Sequence, residues 1–127
     1  MPLCLGPPTP PSDLKVTSSD PDSVTLSWTP PQSDGGSPIQ AYILEIKRPG
    51  DKDFSFLDRL KPRLTEYTAF GLEEGQEYNF RIRAKNPAGE SEPACELATP
   101  FRVPVAKSAI GKRILHFLEK SNSYGLL

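Results

Sequence analysis

The sequence predicts an all-β protein: one antiparallel sandwich of seven short strands, followed by a basic tail of different character. Apolar and polar residues alternate through much of the first hundred positions, as expected of strands with one buried and one solvated face. Turn-forming residues separate these segments, notably at 33–38 and 86–89. No helical period lies between the segments, so the crossover connections that parallel strands require are not expected.

The first two strands follow from alternation on either side of a turn at 19–22. Leu14 and Val16 alternate with polar residues, and 24–28 continues the pattern up to the single tryptophan, Trp28. The third strand and three weaker segments, which are the fourth, fifth and seventh strands, lie at 42–46, 54–60, 66–70 and 93–98. These lengths are typical of strands in a small sandwich.

The sixth strand shows the clearest alternation. Four apolar residues share one face and four polar residues share the other: Tyr78, Phe80, Ile82 and Ala84, against Asn79, Arg81, Arg83 and Lys85. We expect the indole of Trp28 to fill space between the sheets, and the hydroxyl of Tyr78 to bond the preceding turn. The predicted structural core comprises Trp28, Tyr42, Leu72, Tyr78, Phe80 and Ile82.

Three segments of different composition are predicted. Residues 1–9 form a proline-rich leader or linker, 10–100 the sandwich domain, and 101–127 a basic amphipathic tail. The leader should be an extended, stiff linker because proline fixes φ; a ligand for a proline-recognising domain is the alternative. Residues 1–99 carry ten Lys/Arg and fifteen Asp/Glu, whereas 100–127 carry five Lys/Arg and one Glu.

The tail combines an apolar stripe with cations. Five apolar residues follow a helical period: Ile110, Ile114, Leu115, Phe117 and Leu118. A helix over 107–120 would be marginal in water, because Gly111 lies within it. We therefore expect a flexible tail that becomes helical against an anionic membrane surface or a helix-binding protein. Docking on the acidic sandwich is the alternative.

Several sequence signals bear on the compartment. Cys4 and Cys95 have no metal-binding or disulfide-framework spacing, so a reducing compartment is favoured. No signal peptide, transmembrane segment or Asn-x-Ser/Thr acceptor is found. These observations favour a cytoplasmic location over an extracellular or cell-surface one.

Two motifs give the sequence a family resemblance. In the first, Trp28 and Pro30-Pro31 are followed by Asp34-Gly35-Gly36-Ser37-Pro38-Ile39, Tyr42 and Glu45. The second runs continuously from Gly71-Leu72-Glu73 to Gly89-Glu90-Ser91-Glu92-Pro93. Over about 10–100 this resembles the fibronectin type III family, and the form of the two loops is similar to modules of titin, twitchin and myosin-binding protein C. One departure is Ala69, where the family usually has a larger aliphatic residue; Phe70 or Phe56 is expected to compensate.

Catalytic chemistry has little support in the sequence. His116 is the single histidine, which leaves a histidine-based triad or zinc site without a second histidine. We therefore expect no enzyme activity, no cofactor and no metal. Nucleic acid is disfavoured by the acidic domain, and pairing with acidic neighbours such as Glu45 accounts for the basic row Arg81, Arg83 and Lys85.

The resemblance implies a non-catalytic structural or protein–protein interaction module, associated with sarcomeric or cytoskeletal filaments. Its partner would be a protein, with myosin or another filament protein as candidates, and we expect a monomer. The candidate contacts are Arg81, Arg83 and Lys85, together with the loops at 34–37 and 86–92. The alternative is a fragment of a cell-adhesion or receptor ectodomain, which a leader peptide or glycosylation sites in a longer chain would indicate.

Overall fold

The computed structural model describes residues 5–105, and this part of the chain contains nine β-strands and no helix. The strands are β1 (Ser12–Asp20), β2 (Ser23–Thr29), β3 (Ala41–Lys47), β4 (Ser55–Leu60), β5 (Glu66–Phe70), β6 (Glu77–Asn86), β7 (Gly89–Glu90), β8 (Cys95–Glu96) and β9 (Phe101–Arg102). The described residues therefore include no helix that could cross a membrane. The predicted tail helix at 107–120, and with it Ile110, Ile114, Leu115, Phe117 and Leu118, lies outside the described residues.

Two antiparallel sheets form the sandwich. The smaller sheet has the order β1-β2-β5. The larger sheet has the order β4-β3-β6, and the short strands β7, β8 and β9 follow one another along the free side of β6. The prediction of an all-β antiparallel sandwich is confirmed.

The core lies between the inward faces of the two sheets. The six predicted core residues are each exposed by 8% or less: Trp28, Tyr42, Leu72, Tyr78, Phe80 and Ile82. Trp28 on β2 and Tyr42 on β3 come from opposite sheets, and their rings meet edge to face with centroids 5.4 Å apart. Burial raises the pKa of Tyr42, so its hydroxyl stays protonated in the ordinary pH range.

The turn before β6 is held by a tyrosine. The Glu73 N–H donates to the hydroxyl oxygen of Tyr78 at 3.0 Å, while the Leu72 N–H donates to the carbonyl of Asp22 at 3.0 Å. The first bond ties the turn to the strand that follows it, and the second ties it to the turn between β1 and β2. This arrangement is the tyrosine corner of β-sandwiches.

Substituting Tyr78→Phe removes only the hydroxyl of that corner. We expect the free energy of unfolding to fall by about 1–1.5 kcal/mol, because the Glu73 N–H loses its acceptor while the ring still fills its site. Urea unfolding of the two proteins measures the difference. An unchanged midpoint would show that the hydroxyl contributes nothing to stability.

The last strand differs from its sequence prediction. A single strand at 93–98 is expected, but β7, β8 and β9 are three two-residue pieces. From β7 to β8 the chain advances five residues, from Glu90 to Cys95, while its partner on β6 changes by three, from Lys85 to Ile82. The same two-residue excess separates β8 from β9.

Proline accounts for both interruptions of this edge. Pro93 lies in the first inserted stretch and Pro100 in the second, and neither has an N–H to donate to the ladder. The result is an irregular outer edge, which is a poor template for pairing with another chain.

Ala69 has no compensating neighbour of the kind expected from the sequence. It is buried and pairs with Val24. Phe70 is 75% exposed and Phe56 is 63% exposed, so both rings lie on the outside of the sandwich and fill no space beside Ala69. The expectation that Phe70 or Phe56 compensates for Ala69 is therefore wrong, and neither ring is part of the core.

The two sheets are also joined at one edge. The Tyr67 hydroxyl on β5 donates to Asp58 Oδ2 on β4 at 3.0 Å. Partial burial raises the pKa of Tyr67, and the Asp58 carboxylate raises it further, so the hydroxyl remains a donor at ordinary pH. This bond fixes β4 beside the smaller sheet.

Candidate functional site

The outer face of the larger sheet carries the basic row predicted from the sequence. Because side chains alternate along β6, Phe80, Ile82 and Ala84 point into the core and the residues between them point outward. Glu45 lies opposite Arg81 on β3, and Glu96 lies opposite Arg81 on β8. Opposite charges therefore face one another across three strands.

The two arginines of the row share one carboxylate. Arg81 Nε lies 2.6 Å from Glu45 Oε1, and Arg83 Nε lies 3.5 Å from the same oxygen. Arg83 also donates from Nη1 to the carbonyl of Ser91 at 3.1 Å and lies 3.8 Å from Glu92 Oε2. These bonds hold both guanidinium groups in place and offset much of their charge, so the row is an ordered polar surface with little net charge.

Lys85 is placed differently from the arginines. It is half-buried at the end of β6, opposite Ala41 on β3 and Glu90 on β7. Within the described residues no ion pair is recorded for its ammonium group. Of the three predicted contacts, Lys85 is therefore the one without an ion pair in the described part of the chain.

Two phenylalanines complete this face, and the sequence reasoning did not assign them to it. The Arg81 guanidinium stacks over the ring of Phe54 at 4.4 Å from the centroid, a cation–π contact. Phe56 lies opposite Glu45 on β4 and is largely exposed. Their spacing in the sequence could have placed them there. Both rings lie in the predicted strand 54–60, and residues two apart on a strand share a face. We name Phe54, Phe56, Arg81, Arg83 and Glu45 the arginine–phenylalanine face.

The predicted contact loops at 34–37 and 86–92 are partly covered by the chain itself. The Gly6 N–H donates to the Gly35 carbonyl and the Thr9 N–H to the Ser33 carbonyl, both at 3.0 Å. A Cβ on Gly35 would lie only 2.1 Å from the Gly6 carbonyl oxygen, so this contact requires glycine. Residues 5–9 of the predicted leader or linker are thus hydrogen-bonded to the domain.

Asn86 joins the leader to both loops. Its side-chain N–H groups donate to the carbonyls of Gly6 at 2.8 Å and Asp34 at 2.7 Å. Its Oδ1 accepts from the N–H groups of Ala88 at 2.8 Å and Gly89 at 3.1 Å. The side chain is fully buried and connects three segments. We name this arrangement of residues 5–9, 33–36 and 86–89 the leader clamp.

The geometry includes no obvious catalytic arrangement in the described part of the chain. Residues 5–105 bring together no group of three or more His, Cys, Asp or Glu side chains that could hold a metal ion. Glu45, which is the carboxylate of the arginine–phenylalanine face, is paired with two arginines.

Comparisons with known proteins agree with the geometry. The model of the fibronectin type III domain matches residues 9–99. The chain is 38% identical over 86 residues to the titin homolog of Caenorhabditis elegans, covering 68% of this chain and 0% of that protein to the nearest per cent. It is 33% identical over 102 residues to mouse fast-type myosin-binding protein C, covering 80% of this chain and 9% of that protein.

Solved structures give the same result. Titin domains A168–A170 superpose with a TM-score of 0.69 at 34% identity, over 78% of this chain and 33% of that one. The chain spans less than a tenth of the length of the curated relatives it matches. The similarity therefore concerns one domain of much longer proteins.

Proposed function

Because the chain belongs to the fibronectin type III family, we propose that it is a non-catalytic module that binds a sarcomeric or cytoskeletal filament. It acts in the cytoplasm as a monomer and contacts a filament protein through the arginine–phenylalanine face. The name of one relative, myosin-binding protein C, makes myosin the first candidate. The similarity to a titin homolog supports the filament assignment.

The exposed ring of Phe56 is the observation that carries this proposal. An aromatic side chain that is 63% exposed beside an ordered arginine has the composition of a binding hot spot, since such sites are enriched in aromatic residues and arginine. The bonds from Arg81 to Glu45 and Phe54 fix the guanidinium before a partner arrives. Less side-chain entropy is then lost on binding.

Phe56→Ala should weaken filament binding by about tenfold or more, which corresponds to about 1.4 kcal/mol. Cosedimentation of the full chain with myosin filaments, and in parallel with actin filaments, measures the affinity. Phe70→Ala is the matched control, because this ring is also exposed but lies on the smaller sheet. Neither substitution should change the melting temperature appreciably, because both side chains lie outside the core.

Two further variants separate shape from charge. Arg81→Lys keeps the positive charge but loses the planar group that stacks on Phe54, so we expect it to weaken binding as well. Lys85→Ala should instead reduce the salt dependence of binding.

Equal losses for Phe56→Ala and Phe70→Ala would contradict the assignment of the face. Binding to brain membranes with no saturable binding to either filament would favour the ectodomain alternative.

A further inference from the structure

We propose that Thr9 is a phosphorylation site for a proline-directed protein kinase, and that its phosphorylation opens the leader clamp. The inference concerns the leader, which the filament-binding face does not use. It is therefore independent of the proposed function.

The sequence around Thr9 suits that class of kinase. Four hydroxyl residues in the chain precede a proline: Thr9, Thr29, Ser37 and Thr99. Thr9 alone among them also has a proline two positions earlier, in Pro7-Pro8-Thr9-Pro10. The flanking prolines keep this stretch extended, which is the conformation that a kinase cleft accepts, and the Thr9 side chain is exposed.

The hydroxyl of Thr9 is part of the leader clamp. Thr9 Oγ1 donates to the Ser33 carbonyl at 3.2 Å and accepts from the Ser33 N–H at 3.0 Å. A phosphate ester has no hydroxyl hydrogen, so the first bond cannot form after modification. The phosphate also adds a charge of about −1.5 to −2 next to the Ser33 carbonyl oxygen, which disfavours the closed arrangement.

Although Pro8 is buried, few hydrogen bonds close the leader, so a kinase can gain access to Thr9 without unfolding the sandwich. Pro7, Pro8, Pro10 and Pro11 donate no backbone hydrogen bond, and the closing bonds come from Gly6, Thr9 and Asn86. A segment held this way opens with a free energy well below that of global unfolding. Thr29 differs because it lies in β2 and pairs with Ser12. The kinase modifies the open form, and the phosphate then prevents closure.

The transfer itself is an ordinary phosphoryl transfer with Mg²⁺-ATP as donor. Thr9 Oγ1 attacks the γ-phosphorus, and a new P–Oγ1 bond forms while the bond to the β,γ-bridging oxygen breaks. The hydroxyl proton passes to the catalytic carboxylate of the kinase, and ADP leaves. No oxidant or other reactant is needed.

The test treats the full chain with a mitogen-activated protein kinase and Mg²⁺-ATP, and fragmentation mass spectrometry assigns the modified residues. Thr9 should be modified at least tenfold faster than Thr99, which is also exposed and followed by proline. Thr9→Ser should retain the modification, whereas Thr9→Val should lose it without affecting Thr99. Gly35→Ala, which crowds the Gly6 carbonyl, should accelerate modification several-fold because the leader is already open.

Amide hydrogen exchange followed by NMR tests the consequence of modification. The amides of Gly6 and Thr9 should exchange at least tenfold faster after phosphorylation, while core amides of β3 keep their protection and show that the domain remains folded. Modification of Thr9 no faster than Thr99 would overturn the site assignment. Unchanged exchange at Gly6 and Thr9 in the phosphorylated chain would overturn the opening of the leader clamp.

Discussion

Replacing Trp28 with alanine is expected to lower the free energy of unfolding by about 3–5 kcal/mol, enough to unfold a large fraction of a marginally stable domain. The indole is 4% exposed and contacts Tyr42 on the opposite sheet. Its removal leaves a cavity between two sheets whose backbones are fixed by their own ladders, so neighbouring side chains can fill only part of it. The aromatic contact is lost as well.

Trp28→Phe should be much less harmful, costing about 1–2 kcal/mol. Within residues 5–105 the buried indole Nε1 makes no hydrogen bond of good geometry, although it lies close enough to the Tyr42 hydroxyl to lower the pKa of that tyrosine, and phenylalanine removes this poorly paired donor while keeping most of the ring volume. Guanidinium unfolding followed by far-ultraviolet circular dichroism measures both variants. Phe70→Ala, at an exposed ring, should cost under about 0.5 kcal/mol. Similar losses for Trp28→Ala and Phe70→Ala would show that the burial assigned to the two faces is wrong.

Asn86→Ala should destabilise the domain by about 2–4 kcal/mol, although the substitution removes only a few atoms. The reason is that four groups lose their partner together: the carbonyls of Gly6 and Asp34 and the N–H groups of Ala88 and Gly89. Buried polar groups left without a partner cost about 1–3 kcal/mol each, and water reaching the opened loops recovers part of that.

Asn79→Ala is the matched control for Asn86. Asn79 lies on the outer face of the same strand; its side chain donates to the exposed Glu96 at 3.2 Å, and its Oδ1 accepts from the Phe80 N–H at 2.8 Å. Because Asn79 itself is partly exposed, water can replace these two bonds, so we expect a loss of about 1 kcal/mol, well below that of Asn86→Ala. Asn86→Asp keeps the acceptor but loses both donors, and should fall between wild type and Asn86→Ala. If Asn86→Ala and Asn79→Ala cost the same, Asn86 does not connect the three segments.

The sequence was most informative about features with a strong period. The alternation through β6 predicts which residues enter the core and which face outward, and the turn before it predicts the corner bond of Tyr78. Both depend on residues close together in the chain. The hydrophobic pattern is sufficient to predict which face of β6 is buried, because shifting the pairing of the strand by one residue would expose all of its buried side chains.

Contacts between distant parts of the chain were not predictable in this way. Asn86 looks like an ordinary turn residue, and its bonds to Gly6 and Asp34 span 80 and 52 positions. Phe56 was expected to fill space near Ala69, but β4 turns its ring outward. Local composition suggested a linker for the leader. Its attachment to the domain could not be foreseen, because that attachment depends on a glycine loop far along the sequence.

The leader clamp also determines where a pulling force would enter the domain. Tension applied at residue 5 loads the Gly6 and Thr9 bonds before it reaches β1, whereas tension at residue 105 loads the bonds between Val103 and the turn at Gly75 and Gln76. Releasing the seven residues 5–11 would add length on the order of 20 Å while the sandwich stays intact. The leader would then extend under tension before the sandwich itself unfolds. Phosphorylation of Thr9, which releases the leader beforehand, would remove this extra extension.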